Sequence, residues 1–109
     1  MEKTYNKLVR DKIPTKIKLN GGNPKYHVLS VEEFREAIKA KLLEEVNELL
    51  KATTKDEMTE ELADIMEVIE CIRKTEEISE YDLAKTQHNK YIQNGGFFER
   101  IFLESVEEN

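Results

Sequence analysis

Two short acidic motifs, Glu44-Glu45-Val46-Asn47-Glu48 and Glu61-Leu62-Ala63-Asp64, concentrate carboxylates at helical spacing. Residues three apart on an α-helix are surface neighbours, so Glu45 with Glu48, and Glu61 with Asp64, can each present two carboxylates to one point. Two such helices side by side make a four-carboxylate cage. A carboxylate withdrawn from water without compensation costs several kcal/mol, so it must be protonated, paired with a cation or bound to metal. Three or four facing carboxylates cannot satisfy one another. A hard, oxygen-preferring divalent cation is the simplest solution, Mg²⁺ foremost and Mn²⁺ as its substitute.

Helical phase decides which of these groups face inward. With Phe34 at zero and about 100° per residue, Ile38, Leu42, Val46 and Leu49 form a stripe from roughly 40° to 120°, and Glu45 falls beside it at about 20°. Glu44 is the outlier at about 280°. On the second helix Met58, Leu62, Ile65, Ile69 and Ile72 define an apolar face, with Glu61 inside it and Asp64 at its edge. Acidic runs on helices are otherwise solvated faces. The inward phase of Glu45 and Glu61 weighs against that reading.

The elements that position the motifs carry their own start and stop signals. Ser30-Val31-Glu32-Glu33 has capping-box spacing and predicts a long helix over about Val31 to Lys51; Thr54-Lys55-Asp56-Glu57 repeats it and predicts a second over about Lys55 to Thr75. The short connection makes them antiparallel neighbours and brings the acidic motifs together. Pro14 opens a short helix through Ile17 and Leu19 that ends at Asn20-Gly21-Gly22. Lys25 to Leu29 is expected as a short strand. Ser79 with Asp82 starts a further helix ending at Asn94-Gly95-Gly96, and the apolar segment Phe97 to Leu103 is expected to pack back on the bundle. The expectation is an all-α, antiparallel helical bundle with minor extended N- and C-terminal segments, forming one domain over residues 1–109.

Composition agrees with a helical protein. Of the 109 residues 37% are charged and 7% aromatic, with no tryptophan. The formal net charge of −6 argues against general affinity for nucleic acid polymers. Cys71 is the lone cysteine, which excludes an intrachain disulfide and fits a reducing compartment; its expected role is a small core residue. There is no apolar signal segment, and no stretch approaches the ~20 apolar residues that span a bilayer. A soluble, cytoplasmic protein with no membrane partner is the expectation. Two long helices with wide apolar stripes need more cover than one further short helix supplies, which points to a homo-oligomer.

Other chemistries lack their residues. Redox di-iron bundles use Glu-x-x-His, and neither His27 nor His88 follows a glutamate at that spacing. No zinc set or histidine-activated nucleophile is evident, and the glycine pairs lack the Lys-Ser or Lys-Thr of a P-loop. A polyphosphate would instead need scattered cations. Lys7, Arg10 and Lys12 form the densest basic cluster near the start, Lys41 lies one turn before Glu45 on its face, and Lys90 and Arg100 are further candidates. Lys41 is the best single phosphate ligand by phase, with pairing to the carboxylates as its alternative role.

The combined pattern Glu44-Glu45-x-x-Glu48 followed by Glu61-x-x-Asp64 resembles the MazG-like nucleotide pyrophosphohydrolases, the all-α NTP pyrophosphatase group that includes dimeric dUTPases and phosphoribosyl-ATP pyrophosphatases. Tyr5-Asn6-Lys7-Leu8-Val9-Arg10-Asp11-Lys12-Ile13-Pro14 and Gly95-Gly96-Phe97 through Arg100-Ile101-Phe102-Leu103 look like a small single-domain branch of that group, labelled phosphoribosyl-ATP pyrophosphohydrolase-like. The resemblance covers nearly the whole chain. It implies that Glu45, Glu48, Glu61 and Asp64 ligate Mg²⁺ and that a nucleoside triphosphate or related nucleotide is cleaved between its α and β phosphates. It also implies a homodimer or homotetramer that removes non-standard nucleotides. Glu45 would serve the reaction as well as the metal. Glu44 would orient water, act as a base or be plain surface, on equal footing. The alternatives are another pyrophosphohydrolase substrate, such as phosphoribosyl-ATP, and a helical module that senses nucleotides without turning them over.

Overall fold

The computed structural model describes residues 1–108. Its helices run in the order α1 (Ile13–Leu19), α2 (Val31–Lys51), α3 (Lys55–Thr75) and α4 (Glu80–Asn94), with no strand among the described residues. The protein is all-α. It divides into two compact units, Met1–Glu77 and the described residues from Ile78 onward.

Local chemistry sets each helix boundary. Gly22 N–H donates to the Ile17 carbonyl at 2.9 Å and Gly21 N–H to that of Lys18 at 3.0 Å, with Gly21 at φ 88°, so α1 closes in a Schellman motif. A Cβ on Gly22 would meet Ile17 Cγ2 at 2.6 Å, which restricts that position to glycine. At α2 the capping box is complete: Glu33 N–H donates to Ser30 Oγ at 3.2 Å, and Ser30 N–H to Glu33 Oε1 at 3.1 Å. At α3, Glu57 N–H donates to Thr54 Oγ1, while the Glu57 carboxylate accepts from Thr53 N–H one residue earlier. At α4, Asp82 N–H donates to Ser79 Oγ.

Helices α2 and α3 pack together as an antiparallel hairpin. Arg35, near the start of α2, donates from Nε to Glu76 Oε1 at 2.9 Å, just past the end of α3. Ile38 and Val68 are buried between the helices, and Leu42, Val46, Leu49, Ile65 and Ile72 are half-buried around them.

Three expectations need correction. The apolar face of α3 is rotated from the predicted one: Glu61, Ile65, Val68 and Ile72 turn inward, whereas Met58, Leu62 and Ile69 are exposed. The apolar residues of the helix form one broad face, and packing against α2 covers one side of it. Lys25–Leu29 forms no strand, because no neighbouring segment supplies the hydrogen-bonding edge a strand requires. The segment from Phe97 to Leu103 is exposed rather than packed, with Phe97 and Phe98 essentially fully solvated. Cys71 is half-buried as a free thiol, which burial pushes up from its ordinary pKa. Among the described residues no helix is long and apolar enough to cross a membrane.

Candidate metal and phosphate site

The antiparallel hairpin sets the middle of α2 opposite the first half of α3, so Glu45 and Glu61 meet across the helix interface. Each of Glu45, Glu61 and Asp64 offers a carboxylate oxygen such that all three lie within 4.8 Å of one another. Glu45 is 8% exposed, Glu61 and Asp64 half-buried. Glu48 lies on the exposed side of α2, outside this set of three, though near enough for its charge to act on Glu61.

The surrounding cations reach these carboxylates from two directions. Lys41, one turn before Glu45, places Nζ 3.3 Å from Glu45 Oε1 and 3.4 Å from Glu44 Oε2. The segment before α1 crosses the hairpin: Arg10 donates from Nη2 to Asp64 Oδ1 at 2.7 Å, and Lys7 Nζ lies 3.4 Å from Glu44 Oε1. Half-buried Leu8, Ile13 and Pro14 are the anchors of this segment.

Glu44 is thereby held between two lysines. Its phase directs it away from the apolar stripe and toward the basic segment, so the outlier of the helical wheel becomes the junction between α2 and Lys7. Lys12 is exposed and has no ion pair among the described residues. Lys90 on α4 and Arg100 beyond it belong to the second unit, and both are exposed.

Glu61 is the member without compensation. Its Oε2 is buried and has no hydrogen-bond partner among the described residues. Burial raises its pKa above the ordinary carboxylate value, and the Glu45 carboxyl, Asp64 and Glu48 add to the rise. Arg10 counters Asp64 and Lys41 counters Glu45, while among the described residues no cation pairs with Glu61, whose neighbours here are other carboxylates. The donor set is all oxygen, which suits a hard divalent cation and does not suit zinc or redox copper. An ion ligated by Glu45, Glu61 and Asp64 would satisfy the orphaned oxygen.

The long-range pairings escaped sequence reasoning. Nothing in the spacing of Arg10 and Asp64, or of Lys7 and Glu44, marks them as partners. The abundance of cations in the first segment was the available signal.

No family model matches the chain, and no solved structure matches it. A stretch of 49 residues, 45% of the chain, is 49% identical to an uncharacterized protein of Mycolicibacterium smegmatis. The match takes in 50% of that protein, so the chain spans about half the length of the curated relative.

Proposed function

We propose that this chain is a Mg²⁺-dependent nucleotide pyrophosphohydrolase of the MazG-like kind, acting on a nucleoside triphosphate and releasing a nucleoside monophosphate and pyrophosphate. The observation that carries the proposal is the convergence of Glu45, Glu61 and Asp64 around an orphaned, buried carboxylate oxygen. Such an arrangement is unfavourable by itself and becomes favourable with a cation in place.

Glu45, Glu61 and Asp64 would hold the ion, with Glu48 at the margin. When bound, Mg²⁺ supplies charge neutralisation to a polyphosphate and acidity to water. The chain's own cations do the rest. Arg10 and Lys41 neutralise carboxylates that a metal would otherwise neutralise, so loading the site frees both for phosphate oxygens. Lys7 and Lys12 extend the positive surface beside them. Glu44, paired with Lys7 and Lys41, would orient the attacking water or accept its proton. Addition of that water to the α-phosphorus breaks the α–β anhydride, and pyrophosphate leaves.

The working form is a homo-oligomer in a cytoplasmic setting. Leu43 and Leu50 on α2, and Met58, Leu62, Met66 and Ile69 on α3, remain exposed in the single chain. Covering apolar surface of this extent favours self-association. Removal of non-standard nucleotides is the role the resemblance suggests.

A second reading is favoured by the ion pairs themselves. A site whose carboxylates are already held by Lys41 and Arg10 suits a module that senses nucleotides without hydrolysing them. Turnover separates the two. Purified protein with Mg²⁺ and a panel of natural and modified nucleotides, including phosphoribosyl-ATP, is assayed for pyrophosphate and monophosphate. Binding without product overturns the enzyme reading, and release of orthophosphate alone overturns the cleavage position.

A further inference from the structure

The two ends of the described chain carry opposite charge and matching exposed apolar side chains. Residues 1–25 hold seven lysines and arginines against Glu2 and Asp11, in a chain whose net charge is −6. Lys16 and Lys18 on α1 have no ion pair among the described residues, and Leu19 beside them is 81% exposed. Residues 97–108 hold four glutamates against Arg100. Glu104 and Glu107 have no ion pair among the described residues, and Phe97, Phe98 and Phe102 are 87–100% exposed.

The second segment is also shaped. Gly95, at φ 76°, ends α4, and Gly96 lies against the Tyr91 ring, where an added Cβ would stand 3.3 Å from Cε2. Arg100 adopts φ 61° and donates its N–H to the Phe97 carbonyl at 3.1 Å, closing a turn. Tyr91, Gly96, Phe97, Phe98 and Arg100 together line an open cleft of about 720 Å³. A left-handed backbone at a non-glycine residue is unfavourable alone and persists where the surroundings determine it. Here it presents two adjacent phenylalanines to solvent, available to a docking partner.

We propose that the acidic, aromatic segment 97–108 of one copy docks onto the basic segment around α1 of a second copy. Leu19 of one copy seats in the cleft between Tyr91 and the phenylalanines of the other. Lys16 and Lys18 lie against Glu104 and Glu107. In a twofold dimer the contact forms twice, reciprocally. The apolar contact supplies affinity, and the opposite charges select orientation and suppress pairing of like segments. Because residues 1–25 also contain Lys7 and Arg10, docking would brace the segment that holds Glu44 and Asp64.

The inference rests on the homo-oligomeric part of the proposed function and is independent of the pyrophosphohydrolase part. The experiment uses full chains in a Cys71→Ser background, one tagged variant carrying Leu19→Cys and the other Phe98→Cys. Mixed and oxidised, they are expected to yield a crossed disulfide dimer that neither forms alone. Lys16→Glu with Lys18→Glu on the first chain should abolish that product, and Glu104→Lys with Glu107→Lys on the second should restore it. Light scattering on the wild-type chain supplies the control. An oligomer without the crossed disulfide overturns the docking and leaves self-association standing. A monomer overturns both. An intramolecular disulfide in the Leu19→Cys/Phe98→Cys double variant at monomer mass also overturns the docking, because the two segments would then belong to one copy. A crossed product indifferent to the charge reversals overturns the electrostatic match.

Discussion

Arg10 Nη2 donates to Asp64 Oδ1 at 2.7 Å, across 54 positions of sequence, so a cation from the segment before α1 is bound to a carboxylate of the acidic cluster on α3. The pair is partly solvated, with both side chains more than a third exposed. Its contribution to stability is therefore small, and its position beside Glu61 and Glu45 is what gives it meaning. It sets a guanidinium at the edge of the acidic cluster, against one of its three carboxylates.

Arg10→Ala should accordingly cost only about 0–1 kcal/mol of stability, as exposed ion pairs do. Its functional effects should run in opposite directions. Mg²⁺ affinity is expected to rise, because Asp64 loses a competing cation, while KM for the nucleotide rises because a phosphate donor is gone. Calorimetric Mg²⁺ titration beside steady-state kinetics checks this; a KM unchanged from wild type removes Arg10 from the phosphate site.

Glu61→Gln separates folding from function. The variant should raise the metal-free melting temperature, since it removes the cost of ionising a half-buried carboxyl among other carboxylates. The melting shift produced by Mg²⁺ should vanish with it, and turnover should fall by ~10²-fold or more, the scale of losing a single electrostatic stabiliser. If melting and turnover are both unchanged, the carboxylate is solvated and outside the site.

Acid and alkaline behaviour should differ in sign between two glutamates. The folded-state pKa of Glu61 is raised by burial first and by its acidic neighbours next, so its ionisation costs metal-free stability as pH rises from the ordinary carboxylate range through the raised value. Glu70 is held below its ordinary value chiefly by the hydrogen bond from Arg73, so its contribution is present above the ordinary range and lost as pH falls through the lowered value. Metal-free melting curves across acidic to neutral pH should show the high-pH loss disappear in Glu61→Gln and the low-pH loss shrink in Glu70→Gln. Parallel curves for all three proteins would contradict both assignments.

Met66 lies on the outer side of α3, away from Val68 and the acidic cluster, and is 70% exposed in the single chain. Met66→Asp should leave helicity intact and shift the light-scattering mass toward the monomer if this face is where copies associate. An unaltered oligomer mass would assign association elsewhere.

The caps form a local, readable layer of the fold. Ser30→Ala removes one half of a complete capping box and should cost about 1 kcal/mol, measurable by urea unfolding.

Much of the architecture was legible because its causes lie within a few residues of one another. Ser30 with Glu33, Thr54 with Glu57 and Ser79 with Asp82 mark helix starts through contacts made inside one turn, and the bounds of α2 and α3 follow from them. The inward phase of Glu45 was legible for the same reason. Helical geometry places Glu45 on the apolar side of α2, and the structure buries it; Glu61 falls within the broad apolar face of α3, but the rotation that turns it inward is set by packing, which leaves one of its oxygens unpartnered among the described residues.

Tertiary structure alone decided the rest. α3 carries one broad apolar face, and only packing against α2 shows that Val68 rather than Leu62 faces the interior. The hydrophobic term is non-directional, so a face wider than one contact leaves the rotation open until a partner helix selects one side of it. The pairings of Arg10 with Asp64 and Lys7 with Glu44 depend on the path of the segment before α1 over the hairpin. Any of many exposed cations satisfies a carboxylate about equally well, so residue type does not name the partner. The sequence by itself determined helices, caps and an inward acidic cluster; the packing decided which cations guard that cluster and which apolar faces are left exposed.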